Sequence, residues 1–552
     1  MTSNNLQWRE DMTLGTLPTM AQQVVQNVVQ LVAGKETTIL SLLVTVIVAW
    51  GLYVRFGSSS GQLFSKKKLP PSIPGLPVLG NLLQLMKEKP HHTFTSWAQS
   101  YGPIFSIKVG SIKQVVITSP EIAKEAVITK YDSIATKVLP LGLKIMAHER
   151  NVLVMANYGD DHRFLRKLVV GNLLNANSQK QNRPIREHAM YSILDTLFSD
   201  LKNNKTSDGV IDVREYIVKA VFPFAMSQVW GYMPEKVDCP EIGVVTKEEI
   251  FDACISNPMK AFVNIDWRDF FPAFKWVPNK TLENKIRAIE RQRTLIMKGL
   301  VKQQRKSIET EGPTNCYADI VLTQDNGLDD TRMELVIWDT MFTSSDTTLL
   351  TSEWVLFELA KNPLAQARLY EEIVGVTKQE RMVTEDDFPN LPFLNAVVKE
   401  TLRKYPPVAV LPGRIVDKDV TLAGYDIPKG WQVLVNIFGI HNDPKMWPNP
   451  EKWDPERMLH NDNLDMMGLN NLNAMPFGGG KRVCPGIGQV WTVVSILVAS
   501  FVQHFKWELA PIEIENNNDS TVEDMTTFLT THKRHPLHCI ITPRVNQRLE
   551  KS

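Results

Sequence analysis

The sequence predicts a mainly α-helical body with small β-sheets, preceded by one N-terminal transmembrane helix. Three features lead to this reading. Residues 328–362 run for 35 positions without glycine or proline, and a helix of that length is ~50 Å long. Residues 37–54 (TTILSLLVTVIVAWGLYV) carry no charge over 18 positions, about the minimum for crossing a bilayer. Apolar–polar alternation of the strand type is confined to short runs beside turn residues, while helical periodicity covers most of the rest.

Taken in order, residues 1–36 form an N-terminal tail in which Val24, Val25, Val28, Val29 and Val32 recur at helical spacing. The spacing suits an amphipathic helix on a membrane surface, and a disordered tail remains the alternative. The apolar run begins too far into the chain, and lacks the small-residue cleavage site, for a removed signal peptide. Glu10 and Asp11 fit a transit peptide poorly. Residues 37–55 are the expected anchor, with Trp50 and Tyr53 at the interface. Arg55 and Lys66 to Lys68 follow it, against Lys35 just before it, so the positive-inside rule leaves everything after the span in the cytosol. Residues 56–77 read as a linker, flexible from Ser58 to Gly61, basic at Lys66 to Lys68, then stiffened by Pro70, Pro71, Pro74 and Pro77. The body takes residues 78–545 and a tail 546–552. Within the body, Phe105, Ile107 and Val109 lead through Gly110-Ser111 to Val115 and Ile117 as a β-hairpin, and a second hairpin is expected over residues 420–435.

Composition narrows the function. With 43% hydrophobic and 22% charged residues the chain can bury a large core, and a net charge of +1 argues against nucleic acid as a partner. Cys239, Cys254, Cys316, Cys484 and Cys539 are odd in number and form no CxxC pair. Neither a disulfide framework nor a zinc site is indicated, and the body belongs in a reducing compartment.

Two segments carry chemistry. In Phe477-Gly478-Gly479-Gly480-Lys481-Arg482-Val483-Cys484-Pro485-Gly486 the glycines allow the backbone to pass close to a flat macrocycle. Lys481 and Arg482 offer positive charge to a thiolate on heme iron, and the N–H groups of Gly486 and Ile487 offer hydrogen bonds, since Pro485 has none to give. A phosphate-cradling loop or a buried free cysteine is the competing reading, and no strand-then-GK[ST] pattern supports the first. The long helix changes character at Thr343-Ser344-Ser345-Asp346-Thr347-Thr348. An acid followed by a hydroxyl over a heme can deliver protons; hydroxyls bonding back to the preceding turn are the plainer explanation. Glu400 and Arg403 share a helix face, and Arg457 in a proline-constrained loop can complete a structural network with them.

In their order and spacing, Asp346-Thr347, Glu400-x-x-Arg403, Pro455-x-Arg457 and Phe477-x-x-Gly480-x-Arg482-x-Cys484-x-Gly486 resemble the cytochrome P-450 heme-thiolate monooxygenases, from about Pro70 to Arg544. The resemblance implies the cytochrome P-450 fold and heme b, with Cys484 as the proximal iron ligand in a loop flanked by Phe477 and Gly486. Asp346 and Thr347 would serve oxygen activation, and Arg482, Arg414 and Arg166 would contact the heme propionates. Dioxygen is the implied co-substrate and NADPH–cytochrome P-450 reductase the implied electron donor, since the chain shows no flavin domain or dinucleotide fingerprint. Lys481, Arg163 and Lys167 are candidates for docking it. Three departures stand out: Thr343-Ser344 replaces the usual Ala/Gly-Gly, Met458 the usual Phe, and His162 a heme-contacting Trp, which weakens the case for Arg166.

These departures, with residues 173–180, 266–280 and 347–354, resemble one subgroup, the plant ent-kaurene oxidases. That implies oxidation of a ring methyl of ent-kaurene through alcohol and aldehyde to ent-kaurenoic acid, in diterpenoid biosynthesis of the gibberellin type. A hydrocarbon must be positioned by shape, so the pocket is expected to be apolar, with Val408, Val410, Leu411, Thr343 and Leu529 among its walls. Another terpenoid or phenolic substrate, or a reductase-independent isomerase or dehydratase, are the alternatives; a non-enzymatic heme carrier is a third. The anchor fits the endoplasmic reticulum membrane with the heme domain in the cytosol, and the plastid outer envelope is the other candidate.

Overall fold

The computed structural model describes residues 67–87, 89–203, 209–459, 465–466, 472–518 and 530–545. The expected tail 1–36, anchor 37–55, linker up to 66, C-terminal tail 546–552 and pocket residue Leu529 lie outside them. Lys68–Gly75 and the chain from Leu79 onward make one compact unit; of the other unit only Lys67 and residues 76–78 are described.

The glycine- and proline-free stretch forms one helix, Asp330–Lys361, of 32 residues. Asp329 starts it, its carboxylate accepting the N–H of Arg332 at 2.8 Å. Its first half, from Leu335 to Phe342, is buried in a cluster with Met226, Trp230, Ile296 and Leu300. Its second half, from Leu349 to Ala360, is buried in another with Ile217, Leu394, Leu497 and Phe501. The polar residues 343–348 fall where one apolar core gives way to the next. Among the described residues one helix is long and apolar enough to cross a membrane, Ile487–His504, and it is mostly buried against this second core.

Ile104–Val109 and Ile112–Ile117 form the expected hairpin, Gly110 turning it at φ 61°. The second hairpin is shorter than expected. Val420–Leu422 pairs with Tyr425–Ile427, but Gln432–Val435 leaves to run parallel to Ile112–Ile117 and antiparallel to Arg414–Ile415. Thr136–Lys137 completes this five-stranded sheet on the far side of Arg414–Ile415. Alternation along residues 420–435 cannot reveal which strand each segment pairs with. Within the expected linker, Ile73 N–H donates to Ser106 O at 2.9 Å and Ser106 N–H to Pro71 O at 2.7 Å. Residues 70–73 therefore dock along the sheet edge, where proline's missing N–H is tolerated.

Glu400 and Arg403 are fully buried and doubly bonded, Arg403 Nε to Glu400 Oε2 and Nη2 to Oε1 at 2.8 Å each. Arg457 Nε and the Asp454 N–H reach Glu400 Oε1 at 3.1 and 3.0 Å. Arg403 Nη1 also donates to His441 O at 2.7 Å. The buried His441 ring continues the chain of bonds, Nδ1 lying 3.0 Å from Arg403 O and Nε2 accepting the Met475 N–H at 2.8 Å. Burial, with the Arg403 charge second, pushes its pKa down to about 3, so the ring is neutral and its proton sits on Nδ1. The network thus reaches Met475, two residues before Phe477.

Glu400→Ala leaves two guanidinium groups against a buried site with no carboxylate. It is expected to cost about 3–5 kcal/mol, measured as a fall in the urea midpoint without a change in slope.

Candidate active site

The cysteine loop is closed by its own backbone, Gly478 N–H donating to Met475 O at 2.9 Å and Cys484 N–H to Phe477 O at 3.0 Å. Gly478 and Gly480 take φ of 74° and 65°. A Cβ on Gly480 would stand 2.4 Å from Val127 O, so the loop needs glycine there for both space and conformation. Cys484 is half-buried just ahead of the N-terminus of Ile487–His504, where the helix dipole favours an anion. Burial pushes its thiol pKa up, and the Gly486 N–H and then the Arg166 charge pull it back. Arg166 is the charge that bears on the thiol, and its Nη1 donates to the neighbouring Val483 O at 2.8 Å; the sequence suggests Lys481 and Arg482 for this role. Those two are drawn elsewhere: Arg482 Nε donates to Tyr131 OH at 3.0 Å, and Lys481 Nζ lies 3.4 Å from Asp132.

Around Arg482 gathers a group of cations. Arg414 is 7% exposed with its guanidinium 5.6 Å from the Tyr131 ring centroid. Lys137 Nζ donates to Val154 O; burial, then Arg482, then Arg414 push its pKa down to about 7. The buried His162 is pushed down to about 4 by burial, then by Arg482, Arg166 and Lys137. Arg414 Nη1, Arg482 Nη1 and His162 Nδ1 are buried without a hydrogen-bond partner. Buried donors on mutually repelling cations call for an anion, and the two propionates of heme b fit. His162 thus joins Arg166, Arg414 and Arg482 in one cluster. Lys137 and Tyr131 carry no local signal in the sequence and were not foreseen.

The cluster reaches the long helix through residues 153–154. Asp339 accepts the N–H groups of Val154 and Leu153, and burial raises its pKa to about 7. One turn on, Thr343 is exposed although Met341, Phe342, Ser345 and Asp346 around it are buried. The hydroxyls of this stretch bond backwards: Thr343 to Asp339 O at 2.7 Å, Ser345 to Met341 O at 2.8 Å, Thr347 to Thr343 O at 3.3 Å, Thr348 to Ser344 O at 2.9 Å. Asp346 does not share in this. Its Oδ2 accepts the Thr530 hydroxyl at 2.9 Å and its Oδ1 lies 3.0 Å from His532 Nε2.

The expected apolar walls divide. Leu411 lies 3.6 Å from where a Cβ on Gly478 would stand, beside the cysteine loop. Val408 is half-buried, next to Pro407, whose carbonyl takes the Thr531 N–H at 2.9 Å. Val410 instead packs against Ile73, Phe94 and Phe105 in a separate core. The backbone alternates there, and sequence spacing alone does not say which residue of 408–411 faces which way.

A thiol at a helix N-terminus, a loop that only glycine can form, and a cation cluster lacking its anion define a heme-thiolate protein. The chain belongs to the cytochrome P450 family, whose model, described as Cytochrome P450, matches residues 70–537. It is similar to ent-kaurene oxidase 2 of Oryza sativa subsp. japonica, 38% identical over 86% of this chain and 92% of that one. It is also similar to the ent-kaurene oxidase of Salvia miltiorrhiza, 37% identical over 87% and 90%, and to the ent-sandaracopimaradiene 3-hydroxylase of Oryza sativa subsp. japonica, 37% identical over 86% and 91%. A zebra fish cytochrome P450 in a structure with abiraterone shares the fold, with a TM-score of 0.64 at 20% identity over 83% of this chain and all of that one. The protein is therefore a heme monooxygenase that uses dioxygen and electrons from a reductase.

Lys137 yields a pH test. In the heme-free fold its pKa is about 7, against ~10.4 in an unfolded chain. The unfolded state binds the extra proton between these values, so the penalty is full below the lower one and disappears above the upper one. The stability of the heme-free protein should rise through this window in wild type more than in Lys137→Met, compared by urea midpoints.

Proposed function

We propose that the chain oxidises ent-kaurene, through alcohol and aldehyde, to ent-kaurenoic acid in diterpenoid biosynthesis of the gibberellin type. The observation that carries this reading is 37–38% identity to two plant ent-kaurene oxidases along 86–87% of the chain. A second diterpene reading, hydroxylation of a ring of the ent-sandaracopimaradiene kind, is favoured by an equally similar relative.

Heme b, when bound, would supply the oxidising chemistry, using dioxygen and electrons from the reductase. Cys484 Sγ would hold its iron, the thiolate supported by the Gly486 N–H and the Arg166 charge. Arg414, Arg482 and Lys137 would bind the propionates, which would match their charge, with His162 beside them. Thr343 and Leu411 border the substrate, and Asp346 with Thr347 holds and moves protons above it. NADPH–cytochrome P-450 reductase is the partner. Of the three docking candidates Lys481 and Arg163 already hold carboxylates, Asp132 and Asp160, so Lys167 is the first to mutate.

The reading extends to a membrane, that of the endoplasmic reticulum with the heme domain in the cytosol, or alternatively the plastid outer envelope. Residues 37–55 are the anchor. A surface of Ile265, Trp267, Phe274 and Trp276, the last 78% exposed, supports a second lipid contact. The Asp266–Arg268–Glu283 ion pairs at 2.6 and 2.7 Å brace it from beneath.

Membranes holding this chain and a plant reductase are given ent-kaurene with and without NADPH, and the products are separated by gas chromatography and mass spectrometry. NADPH-dependent ent-kaurenoic acid is the expected result; unchanged ent-kaurene beside an intact carbon monoxide band of the thiolate type would sink the substrate but keep the cofactor. In vesicles of bromine-labelled lipid, Trp276→Ser should remove part of the tryptophan quenching of the full-length protein; equal quenching would remove the second lipid contact.

A further inference from the structure

Asp346 is 8% exposed in the middle of a helix, yet its partners come from the far end of the chain. Thr530 Oγ1 donates to Oδ2 and His532 Nε2 stands at 3.0 Å from Oδ1. The segment that brings them is fastened on both sides of His532. Thr531 Oγ1 donates to Pro406 O at 2.5 Å and Trp354 Nε1 to Thr531 O at 3.0 Å. Arg214 Nη2 holds Lys533 O at 2.7 Å, and Leu537 N–H meets the buried Glu353 at 2.9 Å. Backbone anchors thus set the imidazole's position, and 22% of its side chain remains accessible to water. Tethering this segment does not require a histidine at 532, since the other bonds already do so.

Each hydroxylation turns R–H, dioxygen, two electrons and two protons into R–OH and water. The reductase brings the electrons; the protons must come from water. A buried acid that gives up a proton in each round has to be recharged. We propose that His532 is the positioning residue that does this, passing the proton on Nε2 to Asp346 Oδ1. The ring is charged before the transfer and neutral after it, and it regains its proton from water at its accessible edge. Thr530 fixes the other carboxylate oxygen, so Oδ1 stays turned to the histidine. This rests on the reading of Asp346 as the proton-delivering acid.

The test uses the full-length protein in membranes with reductase, comparing wild type, His532→Gln and Asp346→Asn. Glutamine keeps an N–H that can face Asp346 but carries no transferable proton. Product formed per NADPH consumed should fall about tenfold in His532→Gln, less than the 10²–10⁴ of a general acid removed outright because water can replace the relay slowly. The solvent deuterium isotope effect should rise. Apart from turnover, diethyl pyrocarbonate should label His532, read by mass spectrometry, faster in Asp346→Asn than in wild type. A carbon monoxide band of the thiolate type confirms each variant is folded, and His532→Asn replaces His532→Gln if that one loses it. Wild-type coupling and isotope effect in His532→Gln would make His532 a mere tether and overturn the proposal, as would unchanged labelling in Asp346→Asn. If Asp346→Asn itself stays coupled, the acid reading fails; if it uncouples while His532→Gln does not, the relay alone fails. Should wild type leave ent-kaurene untouched, the substrate reading has failed and the comparison is run on ent-sandaracopimaradiene.

Discussion

The buried carboxylate of Glu400 is the interaction on which the site's geometry depends. It collects Arg403, Arg457 and the Asp454 N–H, so one charge fixes a helix and a loop that lie more than fifty residues apart. Through Arg403 the arrangement passes to His441, and through His441 Nε2 to Met475. A neutral histidine suits that task because one ring nitrogen donates while the other accepts, turning the corner between two backbones. Buried ion pairs contribute little net stability compared with apolar packing. What this one contributes is placement: the loop bearing Cys484 is joined to the body by directional bonds, whereas apolar contacts would let it slide.

Charge is distributed unevenly around that loop. Arg166 stands by the sulfur, while Arg414, Arg482 and Lys137 repel one another, and Arg414 Nη1, Arg482 Nη1 and His162 Nδ1 lack a partner. Asp339, the carboxylate that bears on Lys137, is itself pushed toward neutrality by burial and offsets them only in part. An interior of this kind is incomplete by itself, and its deficit has the sign and the hydrogen-bonding capacity that a dianionic macrocycle supplies.

Local patterns made some of this legible and left the rest dark. The long helix follows from the lack of glycine and proline, and the structure starts and ends it within two residues of the expected span. The cysteine loop follows from its glycines, and the Glu400–Arg403 pair from three-residue spacing. The hydroxyls at 343, 345, 347 and 348 bond to their own helix, while Asp346 bonds to residues outside it. Lys137, Tyr131, His441 and His532 could not be read in advance, because each acquires its meaning from a partner distant in the sequence. The pairing of Gln432–Val435 with Ile112–Ile117 is hidden for the same reason: a strand's sequence shows its two faces but not its neighbour.

The bonds from Thr530, Thr531 and Leu537 to Asp346, Trp354 and Glu353 span 177 to 184 residues. During synthesis the ribosome completes the long helix well before it reaches these partners. At about 5–20 residues per second the centre of that helix waits about 10–40 seconds with a buried acid and an indole unmatched. Residues 530–537 are therefore what closes the molecule, and a nascent chain stopped short of them would keep its cysteine loop yet leave its central helix unfinished.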